Sequence, residues 1–276
     1  MKIAIIGYGY VGKAMTSFFE GHYNVVVYDP YISGVLKSSS AVYTKRKEEI
    51  NQCDVAIVCV PTPRDDDGKC DISSVEEVIS WLETPLIILK STVEIGTTDS
   101  LRKAHNKSIV FSPEYCGESS YWTPYAFHTD VKETPFFIFG GEQKDTSSCV
   151  DLYMPIVGPT KKYAQTSAVA AETAKYMENV FYAAKIMFCY EMNEICNLVG
   201  SDYNEVRELW LLDPRINKMH TSVFSGNDRP FGGKCLPKDT SALVSVAKEN
   251  GYDANFLAEI LKSNDRIEKI RKSRKN

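Results

Sequence analysis

The sequence contains no run of about 18 to 20 apolar residues that could cross a bilayer. No pair of its eight cysteines has the C-x-x-C spacing of a zinc or thioredoxin-like site, and its four histidines are scattered. The short apolar start is followed by glycines rather than by a cleavage site, which argues against a signal peptide. A net charge of −4 argues against nucleic acid or an anionic membrane as the main partner. We therefore expect a cytoplasmic protein without a metal site, in which several cysteines, such as Cys59 and Cys189, are small core residues.

The first half of the chain alternates short apolar runs with amphipathic stretches, as βαβ units do. It predicts strands at 2–7, 24–29, 54–60, 85–90, 108–112 and 135–140, with helices near 11–20, 45–51, 72–83, 97–105 and 142–153. Beyond about residue 166 only helices are predicted, at 167–199, 203–211, 237–249 and 255–271. We expect an α/β protein with a Rossmann-like, doubly wound parallel sheet in residues 1–160. An all-helical domain with one long helix is expected in 161–276.

A glycine-rich turn follows the first predicted strand. Its glycines, Gly7, Gly9 and Gly12, enclose Tyr10 and Val11 in a G-x-G-x-x-G pattern between a strand and a helix. Such glycines permit a tight turn and let a pyrophosphate approach the N-terminus of the helix. The position of the turn at the start of a βαβ unit indicates a dinucleotide site.

Polar residues follow the other predicted strands. Asp29 ends the second strand, 22 positions after Gly7, where a carboxylate can accept hydrogen bonds from an adenosine ribose. No arginine follows closely, so NAD is favoured over NADP; the alternative is an ordinary turn aspartate before a proline. The next strands end at Pro61-Thr62, Ser91-Thr92 and Pro113-Glu114. We expect these residues to share the ligand-binding edge of the sheet.

The segment from Phe231 to Asp239, FGGKCLPKD, predicts a nucleophile. Pro237 suits the first position of a helix, which places Cys235 just before a helix N-terminus and near two lysines. That positive potential favours a thiolate, whereas a loop cysteine taken alone is more often inert.

The long predicted helix presents two polar residues, Lys175 and Asn179, four positions apart and therefore on one face, with Glu172 on the same side. A lysine and an amide facing a cleft could stabilise an oxyanion. A solvated helix face is the alternative.

Seven motifs occur in one order along the chain: GYGYVG, VPTP, STVEIGTT, SPEY with Glu118 four residues beyond Glu114, AETAKYMEN, DPRI and FGGKCLPKDT. Together they resemble the UDP-glucose/GDP-mannose dehydrogenase family, and its UDP-glucose 6-dehydrogenases most closely. The resemblance implies an NAD-dependent, four-electron oxidation of a nucleotide sugar, from the C6 alcohol to the carboxylate. The reaction would pass through a thiohemiacetal and a thioester on Cys235.

The resemblance also implies roles for individual residues. Lys175, Asn179 and Asp239 would position water and stabilise an oxyanion. Thr92 and Glu118 would handle water, with Glu114 beside the hydrolytic step. Cofactor contacts are implied for Gly7, Gly9, Tyr10, Val11, Gly12, Asp29, Pro61, Thr62, Thr92, Glu118 and Lys238. Substrate contacts are implied for Glu114, Lys175, Asn179, Arg215, Phe231 and Gly232.

Members of the family usually carry a third, nucleotide-binding domain, which we expect this chain to lack. Two alternatives therefore remain open: a non-catalytic or partner-dependent relative that binds NAD or a sugar nucleotide, and a single-hydride 3-hydroxyacid dehydrogenase. We also expect a homodimer, because the long apolar helix would otherwise leave a hydrophobic face uncovered.

Overall fold

The computed structural model describes residues 1–32, 40–117, 125–224, 227–233 and 235–274. The chain forms two compact units. The first contains residues 1–63 and 71–175, and the second contains residues 64–70 and 176–276.

An eight-stranded sheet in the order β3-β2-β1-β4-β5-β6-β7-β8 forms the centre of the first unit, within the described residues. Its strands are β1 (Lys2–Ile6), β2 (Asn24–Tyr28), β3 (Val42–Thr44), β4 (Val55–Val58), β5 (Leu86–Leu89), β6 (Ile109–Phe111), β7 (Phe136–Gly140) and β8 (Lys162–Thr166). The first six are parallel, β7 runs antiparallel to β6, and β8 is parallel to β7. The sequence-based prediction of a Rossmann-like α/β fold is therefore confirmed.

Helices cover both faces of this sheet. They are α1 (Tyr10–Phe19), α2 (Lys47–Ile50), α3 (Ser73–Trp81), α4 (Thr97–His105) and α5 (Gln143–Val157). The central strands β4 and β5, VAIV and LIIL, are buried at every position. A continuous apolar run is what a parallel strand needs when both of its faces are covered. One apolar cluster forms on each side of the sheet.

Four details of the first unit differ from the prediction, and one is the antiparallel direction of β7, since a parallel sheet was expected. Strands β3 and β8 were not predicted, because β3 has three residues and β8, KYAQT, has no fully buried position. Helix α5 continues through Pro155 to Val157, where the sequence predicted an end near 153. A strand at the edge of a sheet can remain half exposed, so it lacks the apolar pattern by which buried strands are recognised.

The second unit is helical apart from a short hairpin. The long helix α6 (Ala168–Val199) crosses from the first unit into the second, and α7 (Tyr203–Trp210), α8 (Leu236–Glu249) and α9 (Asn255–Ser273) follow. Gly200, with a positive φ of 76°, follows the end of α6 as predicted. The hairpin 64–70 is closed by a bridge between Arg64 and Cys70. In the described part of the chain, no helix combines the length and apolarity that a membrane span requires.

Candidate functional site

The glycine turn between β1 and α1 depends on its glycines for different reasons. Gly7 has a φ of 86°, and a Cβ there would lie 2.8 Å from the carbonyl oxygen of Cys59. A Cβ on Gly12 would lie 1.9 Å from the carbonyl oxygen of Gly7. Gly9, the N-cap of α1, has nothing within 4 Å of such an atom. Packing of the protein therefore requires two of the glycines, and the third leaves open space at a helix N-terminus, which suits a phosphate.

Asp29, directly after β2, connects the glycine turn to the neighbouring strand. Its carboxylate accepts hydrogen bonds from the backbone N–H of Tyr8, at 2.8 Å, and of Tyr31, at 2.9 Å. A carboxylate has room for further donors, so these bonds orient Asp29 and leave it able to accept from ribose hydroxyls. The turn and Asp29 together fit an adenosine diphosphate group.

The loops after β4 and β5 are tied to each other. The Thr62 hydroxyl donates to the carbonyl oxygen of Thr92 at 2.7 Å, and the Ser91 hydroxyl donates to that of Val60 at 2.6 Å. Pro61 is exposed beside them. The polar strand ends predicted from the sequence do share one edge of the sheet, as parallel strands require.

Glu114, after β6, has a side chain that is only 10% exposed, and it pairs with a lysine that sequence reasoning did not single out. Its Oε2 lies 3.2 Å from Nζ of Lys90, and its Oε1 accepts from the backbone N–H groups of Tyr115 and Cys116. Burial alone would raise the pKa of Glu114, but the Lys90 ammonium and the two N–H groups outweigh it and hold that pKa below its usual value. The available signal was a lysine ending an otherwise apolar strand, PLIILK.

Helix α6 has two buried charged residues in the first unit, and they make different contacts. Glu172 accepts from the backbone N–H groups of Gly96 and Thr98 and from the Thr98 hydroxyl, so it caps the N-terminus of α4. Nζ of Lys175 lies 4.6 Å from the ring centroid of Tyr115. Glu172 is therefore a structural residue, whereas Lys175 is held by an aromatic face.

A buried polar cluster joins α6 to α8 in the second unit. Nδ2 of Asn179 donates to Oδ2 of Asp239 at 2.5 Å, and Nζ of Lys238 lies 2.6 Å from Oδ1 of the same carboxylate. Nζ of Lys238 also donates to Sγ of Cys70, at 3.7 Å. Burial would lower the pKa of Lys238, but Asp239, with the thiols of Cys70 and Cys235, raises it above its ordinary value. The structure therefore brings together two of the residues expected to stabilise an oxyanion.

Cys235 is exposed and forms the N-cap of α8. The backbone carbonyl of Cys235 accepts from the N–H of Asp239 at 2.8 Å, which closes the first helical turn. Pro237 lies in that turn, one position later than predicted. Gly232 and Gly233 have open space where a side chain would lie, and Gly233 has a φ of 74°. A thiol at a helix N-terminus beside open backbone is well placed for attack on a carbonyl group.

The segment before Cys235 is fixed by a residue that the sequence did not reveal. Asn264 on α9 is fully buried, and its side chain accepts from the N–H of Phe231 and donates to its carbonyl, at 3.1 and 3.0 Å. The Phe231 side chain is itself buried in the apolar cluster of the second unit. An asparagine on the apolar face of a predicted helix was the signal.

Two of the predicted site residues are not placed in these groups. Arg215 is exposed, and its guanidinium pairs with the carboxylate of Asp213 two residues earlier. Glu118 lies outside the described residues, as does Lys234.

A glycine turn at the switch point of a doubly wound sheet defines a dinucleotide-binding fold. The chain belongs to the UDP-glucose/GDP-mannose dehydrogenase family: residues 24–157 match the family's NAD binding domain and residues 169–266 match its central domain. NAD is therefore the cofactor of the first unit.

Individual relatives agree with this assignment. UDP-glucose 6-dehydrogenase TuaD of Bacillus subtilis is 28% identical over 302 residues, covering 96% of this chain and 63% of that enzyme. A UDP-glucose dehydrogenase structure from Pyrobaculum islandicum superposes with a TM-score of 0.79 at 26% identity, covering 98% of this chain and 68% of that one.

A 3-hydroxyisobutyrate dehydrogenase of Mycobacterium tuberculosis is similar at a TM-score of 0.70 and 18% identity, over 95% of this chain and 91% of that one. That likeness shows the fold alone. The chain spans 63% to 70% of the length of the curated relatives it matches.

Proposed function

We propose that this chain is an NAD-dependent nucleotide-sugar 6-dehydrogenase, with UDP-glucose as its substrate. The observation that carries the proposal is the exposed Cys235 thiol at the N-terminus of α8, one helical turn before Asp239, whose carboxylate binds Asn179. Relatives named UDP-glucose 6-dehydrogenase support the substrate class.

The proposed reaction is RCH2OH + 2 NAD+ + H2O → RCOO− + 2 NADH + 3 H+. NAD, when bound, accepts the hydride in each oxidation. The Cys235 thiolate adds to the carbonyl carbon of the aldehyde and forms a thiohemiacetal. The second oxidation leaves a thioester. Water then attacks the thioester carbonyl, the C–S bond breaks, and the thiol and the carboxylate are released.

Other residues have proposed roles around this carbon. Lys175 and Asn179 would donate to the oxyanion that forms when thiolate or water adds to the carbonyl. Asp239 would hold the amide of Asn179 in place, because it already accepts from Nδ2. Thr92 and Glu118 would handle water, and Arg215 would bind the sugar nucleotide.

Release of NADH by the purified chain tests the proposal. With UDP-glucose, we expect about two NADH per sugar oxidised, as two hydride transfers require. Cys235→Ser should abolish completion of the reaction and the covalent adduct that mass spectrometry detects on trapping. Cys53→Ala is a matched control, because Cys53 is buried and belongs to the first unit.

Three outcomes would overturn the proposal. Binding of NAD without turnover of any UDP- or GDP-sugar, and without an adduct on Cys235, would indicate a binding protein. Turnover that is unchanged in Cys235→Ser, with one NADH per substrate, would indicate a single-hydride dehydrogenase. Turnover only with a GDP-sugar would support the proposed reaction but show that UDP-glucose is not the substrate.

We also propose that the protein is a homodimer formed through the second unit's part of α6. This part of α6 carries five large, exposed apolar side chains, separated in turn by four, seven, seven and three residues: Met177, Phe181, Phe188, Ile195 and Leu198. Intervals of four and seven place these side chains on one face of the helix. Met177 is 72% exposed and Leu198 is 83% exposed, so the free chain leaves a long apolar stripe in water.

The same stripe on a second copy of the chain would cover this one across a two-fold axis. Sedimentation equilibrium at micromolar concentration should give the mass of a dimer, and Phe181→Glu combined with Leu198→Glu should give that of a monomer. Tyr252→Glu, an exposed apolar residue outside α6, is the control and should remain dimeric. A monomeric native chain would contradict the proposal.

A cytoplasmic location is proposed from the thiols. The eight cysteines all lie in the described residues, and none of them forms a disulfide. Thiols persist in a reducing compartment, whereas an oxidising one favours disulfides.

A further inference from the structure

Lys90 stands out among the buried charged groups because its ammonium has three partners on one segment of the chain. It follows β5, its side chain is 3% exposed, and Nζ lies 3.2 Å from Oε2 of Glu114. Nζ also donates to the carbonyl of Pro113 at 3.2 Å and to the hydroxyl of Ser112 at 3.4 Å. Nζ therefore has two hydrogen-bond acceptors and one ion-pair partner, all on the segment after β6.

The other oxygen of Glu114 determines where the next residues lie. Oε1 accepts from the N–H groups of Tyr115 and Cys116, at 2.7 and 2.8 Å. The ring of Tyr115 in turn faces Nζ of Lys175, and its edge packs against Phe136 at 4.9 Å between centroids. A continuous set of contacts therefore leads from Lys90 through Glu114 and Tyr115 to Lys175, all within the first unit.

Four other titratable groups around the Lys90–Glu114 pair are neutral. Burial raises the pKa of the Cys59 thiol to about 12, and burial also raises the pKa of Cys116, Cys149 and Tyr153. The ammonium and the carboxylate are thus counter-charges of each other. Two further charged groups lie around them: Lys175 faces the Tyr115 ring, and the Asp145 carboxylate acts on Cys149.

An ion pair of this kind is a poor way to gain stability. Removing two charges from water costs several kcal/mol per ion, so apolar residues of similar volume often serve a fold equally well. The pair does provide a fixed carboxylate with a defined direction, which an apolar pair cannot provide. The pair lies next to the residues proposed for catalysis, so a fixed carboxylate there can orient them.

We infer that Lys90 is a positioning residue: its ammonium keeps Glu114 ionised and turned toward the backbone of Tyr115 and Cys116, and so places the Tyr115 ring under Lys175. The inference rests on the proposed function, in which Lys175 contacts the reacting carbon. The Glu114 carboxylate thereby orients its neighbours: Oε1 accepts from two backbone N–H groups, and Oε2 is the atom that forms the ion pair with Lys90.

The test uses four variants of the full chain: Lys90→Met, Lys90→Arg, Glu114→Gln and the double variant K90M/E114Q. In Lys90→Met the buried Glu114 loses its counter-charge, so its pKa rises and it becomes protonated near neutral pH. We expect kcat for NADH formation to fall by roughly 10- to 100-fold, as a small displacement of a catalytic group can cause. Activity should recover as pH rises and Glu114 ionises again. Lys90→Arg should restore the native pH profile.

A second measurement does not depend on activity. Infrared difference spectra of Lys90→Met against K90M/E114Q should show the carbonyl stretch of one protonated carboxyl group, which the native protein lacks. If the native chain makes no NADH, the proposed function fails, and the spectra still decide whether Lys90 keeps Glu114 ionised.

Two results would overturn the inference. One is a Lys90→Met enzyme with native kcat and pH profile. The other is a Lys90→Met enzyme that has lost activity at every pH and shows no protonated carboxyl group. An inactive variant that does show the protonated carboxyl group and recovers at high pH supports it.

Discussion

Replacing Asn264 by alanine tests how the segment leading to Cys235 is held. The Asn264 side chain makes two buried hydrogen bonds to the backbone of Phe231, at 3.1 and 3.0 Å. Asn264→Ala removes both and leaves a buried N–H and a buried C=O of Phe231 without these partners. Each such group costs about 1–3 kcal/mol. We therefore expect the free energy of unfolding to fall by about 2–4 kcal/mol.

Thermal unfolding followed by circular dichroism gives the measurement. For a chain of this size a loss of about 2–4 kcal/mol lowers Tm by roughly 4–10 °C. Asn250→Ala is the matched control, because Asn250 is exposed and its side chain makes one local bond, to the carbonyl of Val246. That variant should stay within about 0.5 kcal/mol of the native protein. A drop in Asn264→Ala no larger than in the control would refute the reasoning.

Three further predictions follow from the site. Cys235 should be the first thiol to react with a disulfide reagent, since it is the exposed one; a fast phase that survives Cys235→Ser would contradict this. Gly12→Ala should lower Tm, because its Cβ would overlap a backbone oxygen. Gly9→Ala should keep the native Tm and weaken NADH binding in a fluorescence titration. Equal losses of Tm in the two variants would contradict this prediction. Asp239→Asn should destabilise by about 3–5 kcal/mol in urea, because it leaves Lys238 buried without its counter-charge; a native midpoint would exclude a buried ion pair.

The sequence predicted those elements whose burial leaves a pattern. The runs VAIV and LIIL identify β4 and β5, because a strand covered on both faces is apolar throughout. The apolar spacing and Gly200 identify α6. The edge strands β3 and β8 escaped notice because half-exposed positions carry no such pattern. The antiparallel direction of β7 depends on how the chain returns to the sheet, which periodicity does not record.

The site was predictable where its chemistry is concentrated in a short motif. The glycine turn and the segment around Cys235 are of this kind, and their roles remain proposals. The residues that contact and orient these site residues are distant in sequence. Lys90 and Glu114 are separated by 24 positions, and Cys70 and Lys238 by 168 positions. Such pairs form only when strands and helices have packed, so no local pattern reveals them.

The hairpin 64–70 limits how the protein can be dissected. The hairpin follows β4 in the sequence but belongs to the second unit, where its residues contact α8. Lys69 pairs with Glu249, and Cys70 accepts a hydrogen bond from Lys238. A Cβ on Gly68 would lie 2.5 Å from Oγ of Ser241. A fragment starting at residue 176 would lack this covering. In such a fragment Lys238, which is buried in the intact protein, would be exposed to solvent. The fragment would therefore not reproduce the structure of the second unit.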